Sequence, residues 1–407
     1  MFYFDFGFDK PAKDPLKGNK GEWSEIYIFL KLLEDGKVCA ADKNMQKVAE
    51  RYLKILKIFR EEIEGHRLAY IPGKQVEVFD GEVMACSPVE MKEVGDARSR
   101  AWTLIKSTQR GVISDSDLQG FLRRICIAKL KSPAEDVGYF GGTKDIVMQV
   151  HDYNTGIDSI LGFSCKSEFS AQATLFNASK DNTNFLFKVD GGMDDALAEE
   201  FNSLCDVRGR KQVVATARRM RLLKERGCAL EFVRVVSATA RRNLRMVGGR
   251  DLSTMVAEML RHYYFDGEGA MSYSSVSSLV DWLSQKAVID EDEPGEVKDV
   301  CRYQISHLLY AMFTGMRLGT PWNGRTSVCG GYIVARDDGE VLAYHTCIAD
   351  EFKDFLVQRL ALEQPSHSRH LSLRVEKGKD GSFYIKLPLQ IRFRANRERD
   401  ENAKISV

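Results

Sequence analysis

KDIVMQVHD (residues 144–152) and ILGFSCKSEF (160–169), joined by YNTGIDS (153–159), decide how this chain folds. Both runs are short and rich in strand-forming residues, and turn chemistry separates them, so they read as a β-hairpin. Side chains alternate across a strand, which puts Ser164, Lys166 and Glu168 on one face and Phe163 and Cys165 on the other. The apolar residues on the second face place Lys166 in a sheet with one packed side.

Working outward, NKGEWSEIYIFLKLLEDGK (19–37) predicts a helix: Asn19 caps it, Glu22 stands where a capping box needs it, and Gly36 ends it. Trp23, Ile26, Tyr27, Leu30 and Leu33 recur at helical spacing and face a core. A second helical region is predicted from Ala97 to Leu130, with SDSD (114–117) as its cap before LQGFLRRICIAKL. KSPAEDVGYFGGT (131–143) then breaks the pattern with proline and glycine. Downstream, 193–264 reads as largely helical and VCRYQISHLLYAMFTGM (300–316) as a helix. GGYIVARDDGEVLAYH (330–345) carries a turn at Asp337-Asp338-Gly339, and FYIKLPLQIRFR (383–394) alternates as a strand does. The class implied is α/β or α+β, a mixed central β-sheet flanked by helices. The division expected is a core over 1–195 containing the hairpin 145–168, followed by basic helices and C-terminal strands over 196–407.

At 407 residues and 44% apolar composition the chain can bury a large core. Nine cysteines without a CxxC pair argue against a zinc ribbon or disulfide scaffold and for a reducing cytoplasm. MFYFDFGFDK at the start has no signal-peptide pattern, and no run of about 18 apolar residues occurs, so neither secretion nor membrane spanning is expected. Net charge is only +1, yet residues 206–250 hold thirteen Lys/Arg against three Asp/Glu. RRMRLLKER (218–226) alone fits a solvated helix face, but the density of the whole block is an electrostatic footprint for phosphates.

Asp145 on one strand and Ser164-Cys165-Lys166 on its partner form the layout of PD-(D/E)-x-K nucleases. A phosphodiester needs a hard cation against the charge of its transition state, hence carboxylate oxygens, and a lysine to orient the attacking water or stabilise charge. A D…S-x-K pattern is common by chance, with an edge-strand lysine as its ordinary explanation. Here the apolar opposite face, the amide-rich FSAQATLFNASKDNTNF (169–185) and the basic block stand beside it.

NKGEWSEIYIFLKLL, the KDI strand, LGFSCKSEFSAQATLFNASKDNTNF, YHTCIADEFKDFL, SHSRH and IKLPLQIRF occur in the same order as similar blocks of the HpaII family of Type II restriction endonucleases. The chain resembles that family from about Lys20 to Phe393. The resemblance implies a magnesium-dependent nuclease that cuts unmodified double-stranded DNA at a short palindrome of the CCGG type, with a cognate methyltransferase acting on the same site. Carried onto this sequence, Asp145 becomes the metal-binding acid and Lys166 the catalytic lysine. Ser164 stands where many relatives of the wider class hold an acid, and the carbonyl of Cys165 faces the metal. The second acid is then expected to be Glu25 or Glu168, ahead of Asp181. A two-fold symmetric target implies a homodimer.

Arg218, Arg219 and Arg221 are expected to contact DNA, as are Asn177 and Asn184 in the amide-rich stretch. Arg369 in SHSRH (366–370) suits bidentate guanine reading beside His370, and Arg392 is a weaker candidate of the same sort. Two other readings stay open: a metal cluster of SHSRH with His345 and Cys347, and a DNA-binding protein that has lost its catalytic site. A methyltransferase is not supported, because the glycines at 138–142 precede a strand and do not follow one.

Overall fold

The structure, a computed structural model, describes residues 16–63, 66–108, 111–131, 145–153, 155–168, 174–204, 211–266, 274–286, 294–325, 330–345, 349–365 and 373–394. The fold class is the one the sequence implies, mixed α+β with a large central sheet. The chain gathers into two compact units, Met1–Ala171 with Ser327–Phe352 and Gln172–Thr326 with Lys353–Val407. This partition differs from a single boundary at 195/196, because strands Gly331–Ala335 and Val341–His345 return to the sheet of the N-terminal half.

In the first unit, six strands run in the order Lys37–Ala41, Val341–His345, Gly331–Ala335, Ile157–Ser167, Ile146–Asp152, Lys47–Ile63, and the last pairs back onto the first. The sheet therefore closes on itself. Strand Lys47–Ile63 makes this possible: its first half pairs with Lys37–Ala41, its second half with His66–Ile71. A bulge between Ile55 and Lys57 sets its register against Ile146–Asp152, and an unpaired residue on one strand bends that strand and sharpens its twist. His66–Ile71, Gln75–Asp80 and Val83–Met84 extend the sheet as an antiparallel meander that no motif announced. Two pairings are parallel, Lys37–Ala41 with Val341–His345 and Gly331–Ala335 with Ile157–Ser167, so the sheet is mixed.

Helix Lys20–Asp35 forms as its caps dictate. Asn19 Oδ1 accepts the Glu22 amide (3.1 Å), the Glu22 carboxylate accepts the Asn19 amide (2.8 Å), and Gly36 closes the helix in the left-handed region at φ 60°. Trp23, Ile26, Tyr27, Leu30 and Leu33 are buried as their spacing predicts. Ile28, Phe29 and Leu32 are buried too, because the helix packs on both the sheet and helix Met91–Ser107. Each such side chain contributes about 1.5–3 kcal/mol.

The helical region expected over 97–130 comprises two helices, Met91–Ser107 and Ser116–Arg124, the second capped from within SDSD by Asp115, whose carboxylate accepts the Leu118 amide (2.9 Å). It stops at Arg124, with Cys126 at φ 63°. A buried ion pair takes over the next backbone groups: Glu62 accepts the amides of Ala128 (2.8 Å) and Lys129 (2.9 Å), and Arg60, paired to Glu62 at 2.5 Å, donates to the Lys129 carbonyl (2.7 Å).

The second unit holds two four-stranded sheets. One runs Ala229–Val235, Asn184–Asp190, Phe383–Pro388, Val375–Lys377; the other runs Ser274–Ser275, Leu360–Leu362, Ile391–Phe393, Thr174–Phe176. The segment 193–264, read as largely helical, is interrupted by strand Ala229–Val235, which pairs antiparallel with Asn184–Asp190. Among the described residues no helix is long and apolar enough to cross a membrane.

Candidate active site

The hairpin forms with Ile146 opposite Phe163 and Val147 opposite Gly162. Ile146, Met148 and Val150 join Phe163 and Cys165 in the buried core, so the alternate strand residues Ser164 and Lys166 leave it on the other face, and Asp145 stands just before the first strand. At the end of the ladder the Asp145 amide donates to the Phe163 carbonyl (3.1 Å), and Asp145 Oδ2 accepts the Cys165 amide (2.7 Å). The carboxylate thus occupies the place of a main-chain acceptor and is fixed beside the S-x-K element. On the other edge of that strand, Gly331–Ala335 runs parallel, with Cys165 against Ile333 and Lys166 against Val334.

Helix Lys20–Asp35 brings in a second acid. Ser167 Oγ donates to Ser24 Oγ (3.0 Å), and Ser24 donates in turn to the Lys20 carbonyl (2.6 Å), which ties the helix to the S-x-K strand one residue before Glu25. The Glu25 side chain is 18% exposed, and its carboxylate lies 3.8 Å from Lys131 Nζ. Burial first, and then the charge of Asp145, pushes its pKa up to about 7 against the opposing pull of Lys131, Lys166 and Arg60. Asp145, Glu25 and Lys166 therefore share one electrostatic site. A carboxyl whose proton affinity is raised by burial and by a neighbouring carboxylate, as that of Glu25 is, would be relieved by a cation.

Glu168 follows directly after the S-x-K strand: its amide donates to the Ala335 carbonyl (3.0 Å), and its carboxylate accepts the Asp337 amide (3.4 Å) at the turn after Gly331–Ala335. Asp181 lies in the second unit, 3.8 Å from Lys386 Nζ. The Cys165 thiol is buried, and burial, reinforced by Asp145 and Glu25, raises its pKa well above the ordinary thiol value. It stays protonated, so only the Cys165 carbonyl is left as a cation donor. Among the described residues no group of three or more His, Cys, Asp and Glu could hold a metal. Two carboxylates and a carbonyl are all oxygen donors, a set that suits magnesium, which keeps several of its waters.

The predicted DNA contacts divide. Arg218 and Arg221 are exposed on helix Lys211–Glu225. Arg219 is 3% exposed, donates to the Leu373 carbonyl (2.9 Å) and lies over the Phe201 ring at 5.1 Å. It holds the interior together and is not offered to a phosphate; helical spacing places it on the buried face with Thr216, Met220 and Leu223. Arg392 pairs with Glu363 (2.7 Å), which also accepts from Gln390 (2.7 Å). Asn177 is exposed after strand Thr174–Phe176, and Asn184 opens strand Asn184–Asp190, its carbonyl accepting the Val236 amide (2.9 Å). His345 is on strand Val341–His345, its pKa lowered chiefly by burial. Arg369, His370, the rest of SHSRH and Cys347 lie outside the described residues.

Lys131 and the Arg60–Glu62 pair escaped the sequence reading. Opposite charges two residues apart in the otherwise apolar strand run KILKIFREEI share one strand face, and that was the signal available.

The sequence pattern of the HpaII restriction endonucleases matches residues 19–393. The Type II restriction enzyme HpaII of Haemophilus parainfluenzae is 28% identical over 384 residues, covering 92% of this chain and 98% of that protein. No solved structure matches the chain. With a match that runs from the cap of the first helix to the last described strand, through both strands of the hairpin, the chain belongs to the HpaII restriction endonuclease family.

Proposed function

We propose that the protein is a site-specific endonuclease that hydrolyses phosphodiesters of double-stranded DNA with magnesium, at a short palindrome of the CCGG type. The observation that carries this is the junction at the hairpin end, where Asp145 is locked onto the Cys165 amide with Glu25 and Lys166 in the same electrostatic site. Asp145, Glu25 and the Cys165 carbonyl would hold the magnesium, which when bound supplies charge neutralisation at the phosphate and a more acidic water. Lys166 orients the attacking water and faces the charge that develops on the phosphate oxygens. Ser164, between them on the strand, keeps the junction polar without adding a third negative charge. Glu168 is assigned to the turn and is not needed as a ligand.

Arg218 and Arg221 supply sequence-independent affinity, with Asn177 and Asn184 beside the backbone, while Arg369, His370 and Arg392 read or flank base edges. A homodimer matches the symmetry of a palindrome and cuts one strand per subunit. No disulfide joins the described cysteines, in keeping with a cytoplasmic enzyme whose methyltransferase protects the same site. Incubating a sequenced plasmid with protein and magnesium, then mapping the ends, tests all of this at once. Discrete ends at one repeated site are expected; binding without any cut in magnesium would instead establish a DNA-binding protein on a nuclease fold.

A further inference from the structure

Two segments distant in sequence meet in the second unit, and their only charged residues are arginines. Residues 232–250 hold Arg234, Arg241, Arg242, Arg245 and Arg250, and residues 300–325 hold Arg302, Arg317 and Arg325, with no lysine, aspartate or glutamate in either. They are joined through helix Ala238–Gly248. Asn243 on that helix is 0% exposed; its Nδ2 donates to the carbonyls of Arg317 (2.9 Å) and Thr320 (2.8 Å), and its Oδ1 accepts the Trp322 amide (3.2 Å). Arg242 adds a bond to the Trp322 carbonyl (2.8 Å).

The loop also braces itself. Trp322 Nε1 donates to the Arg325 carbonyl (3.0 Å), and Asn323 Oδ1 accepts the Arg325 amide (3.0 Å). Gly324, at φ 84°, lies close enough to the helix that an added Cβ would sit 3.5 Å from Met246 Cε. A buried asparagine that gives three hydrogen bonds to one segment's backbone fixes that segment's shape, because each bond lost in a dry interior leaves a polar group unsatisfied. The tip of the loop is exposed at Asn323, Gly324 and Arg325, and the helix exposes Arg242 and Arg245 next to it. Among the described residues no carboxylate is placed against Arg245 or Arg325, whereas Arg302 is taken up by Asp354.

An ordinary solvated face mixes lysine with glutamate. A surface with arginine alone, on a braced loop, fits a ligand with planar pairs of acceptors, since the guanidinium fork matches both a phosphate and the O6/N7 edge of guanine. A loop already held in shape loses little entropy when it binds. We propose that this surface is a DNA-reading element: Arg241 and Arg245 hold phosphates, and Arg325, at the tip of the loop that Asn243 positions, contacts a base edge. The assignment rests on the endonuclease reading and adds a recognition residue distinct from Arg369.

The test is selection from a pool of randomised duplexes in calcium, by the parent and by Arg325→Ala, followed by titration of the selected duplex. Arg325 is exposed, so its loss leaves folding intact. The parent is expected to enrich one site, and Arg325→Ala the same site with one base pair relaxed, discrimination there falling about tenfold to a hundredfold. The double variant Arg241→Ala, Arg245→Ala should weaken binding to selected and random duplexes alike, with the salt slope smaller by about two. A parent that enriches no sequence overturns the endonuclease reading and this one with it. A parent that enriches a site which Arg325→Ala enriches just as sharply, or an Arg325→Ala loss equal on all duplexes, overturns the reading role alone.

Discussion

The hairpin of the first unit and the basic helix of the second present the same problem, a few charged side chains in a row of neighbours, with different outcomes. On the hairpin, period two sorted the residues correctly: Phe163 and Cys165 entered the core, and Ser164 and Lys166 did not. On helix Lys211–Glu225 the charge was counted as a block, and the block hid the fact that Arg219 is interior while Arg218 and Arg221 are exposed. Charge density states how many cations a segment carries. Only the period of the element states which of them reach solvent, and 3.6 applied to Arg218, Arg219 and Arg221 would have separated them.

The sharpest way to break this contrast is at Lys166. Lys166→Ala should bind duplex DNA in calcium almost as the parent does and lose about a hundred- to a thousandfold in single-turnover cleavage with magnesium, the usual cost of removing one group that acts on developing charge. Cleavage near the parental rate would leave the hairpin as fold and move the chemistry elsewhere.

Glu25 sharpens the comparison from the stability side. Its pKa is near 7 in the folded protein, against an ordinary value of 4.5. The folded state therefore holds the proton more tightly than the unfolded chain, and ionisation costs stability progressively from pH 4.5 to 7, the cost being complete above pH 7. Glu25→Gln should accordingly raise the stability of the metal-free protein at pH 8 by about 2 kcal/mol and leave it nearly unchanged at pH 4. The same substitution should abolish cleavage. Urea melts at the two pH values decide it: a variant less stable than the parent at pH 8 would show that Glu25 is held by partners that favour its charge.

Smaller effects separate the arginines. Arg219→Ala should destabilise the fold by about 1–3 kcal/mol, having lost its bond to the Leu373 carbonyl and its packing on Phe201, while leaving the salt dependence of DNA binding unchanged. Arg218→Ala with Arg221→Ala should do the reverse: melts like the parent, and a binding slope against log salt smaller by up to about two. If all three substitutions behaved alike, the division between interior and surface arginines would fail.

Much of the fold was legible because local signals agreed with the tertiary result. Asn19, Glu22 and Gly36 fixed the first helix to the residue, and alternation fixed the hairpin. What was not legible depends on long-range partners. Nothing local in KVCAA or GYIVA says that these strands meet the hairpin sheet from opposite ends of the chain. The end of helix Ser116–Arg124 depends on Glu62, sixty-odd residues earlier, reaching the amides of Ala128 and Lys129. Sequence narrowed the second acid to three candidates, and the proposal of Glu25 draws on a long-range contact, the bond from Ser167 to Ser24, that no local pattern announces.

The parallel pairing of Gly331–Ala335 with the S-x-K strand has a consequence for how the protein is made. While the ribosome has delivered only the first 330 residues, strand Ile157–Ser167 has a bare hydrogen-bonding edge and the ring of strands is open between it and Lys37–Ala41. Such an edge is a template for another chain, and closing a loop of about 170 residues is slow compared with local folding. Until residues 331–335 have been made, the lysine strand keeps that edge unpaired, although Asp145 and Glu25 already precede it in the chain. The ring of strands therefore closes late, and the stretch that closes it, residues 331–345, lies far along the chain from the hairpin it completes.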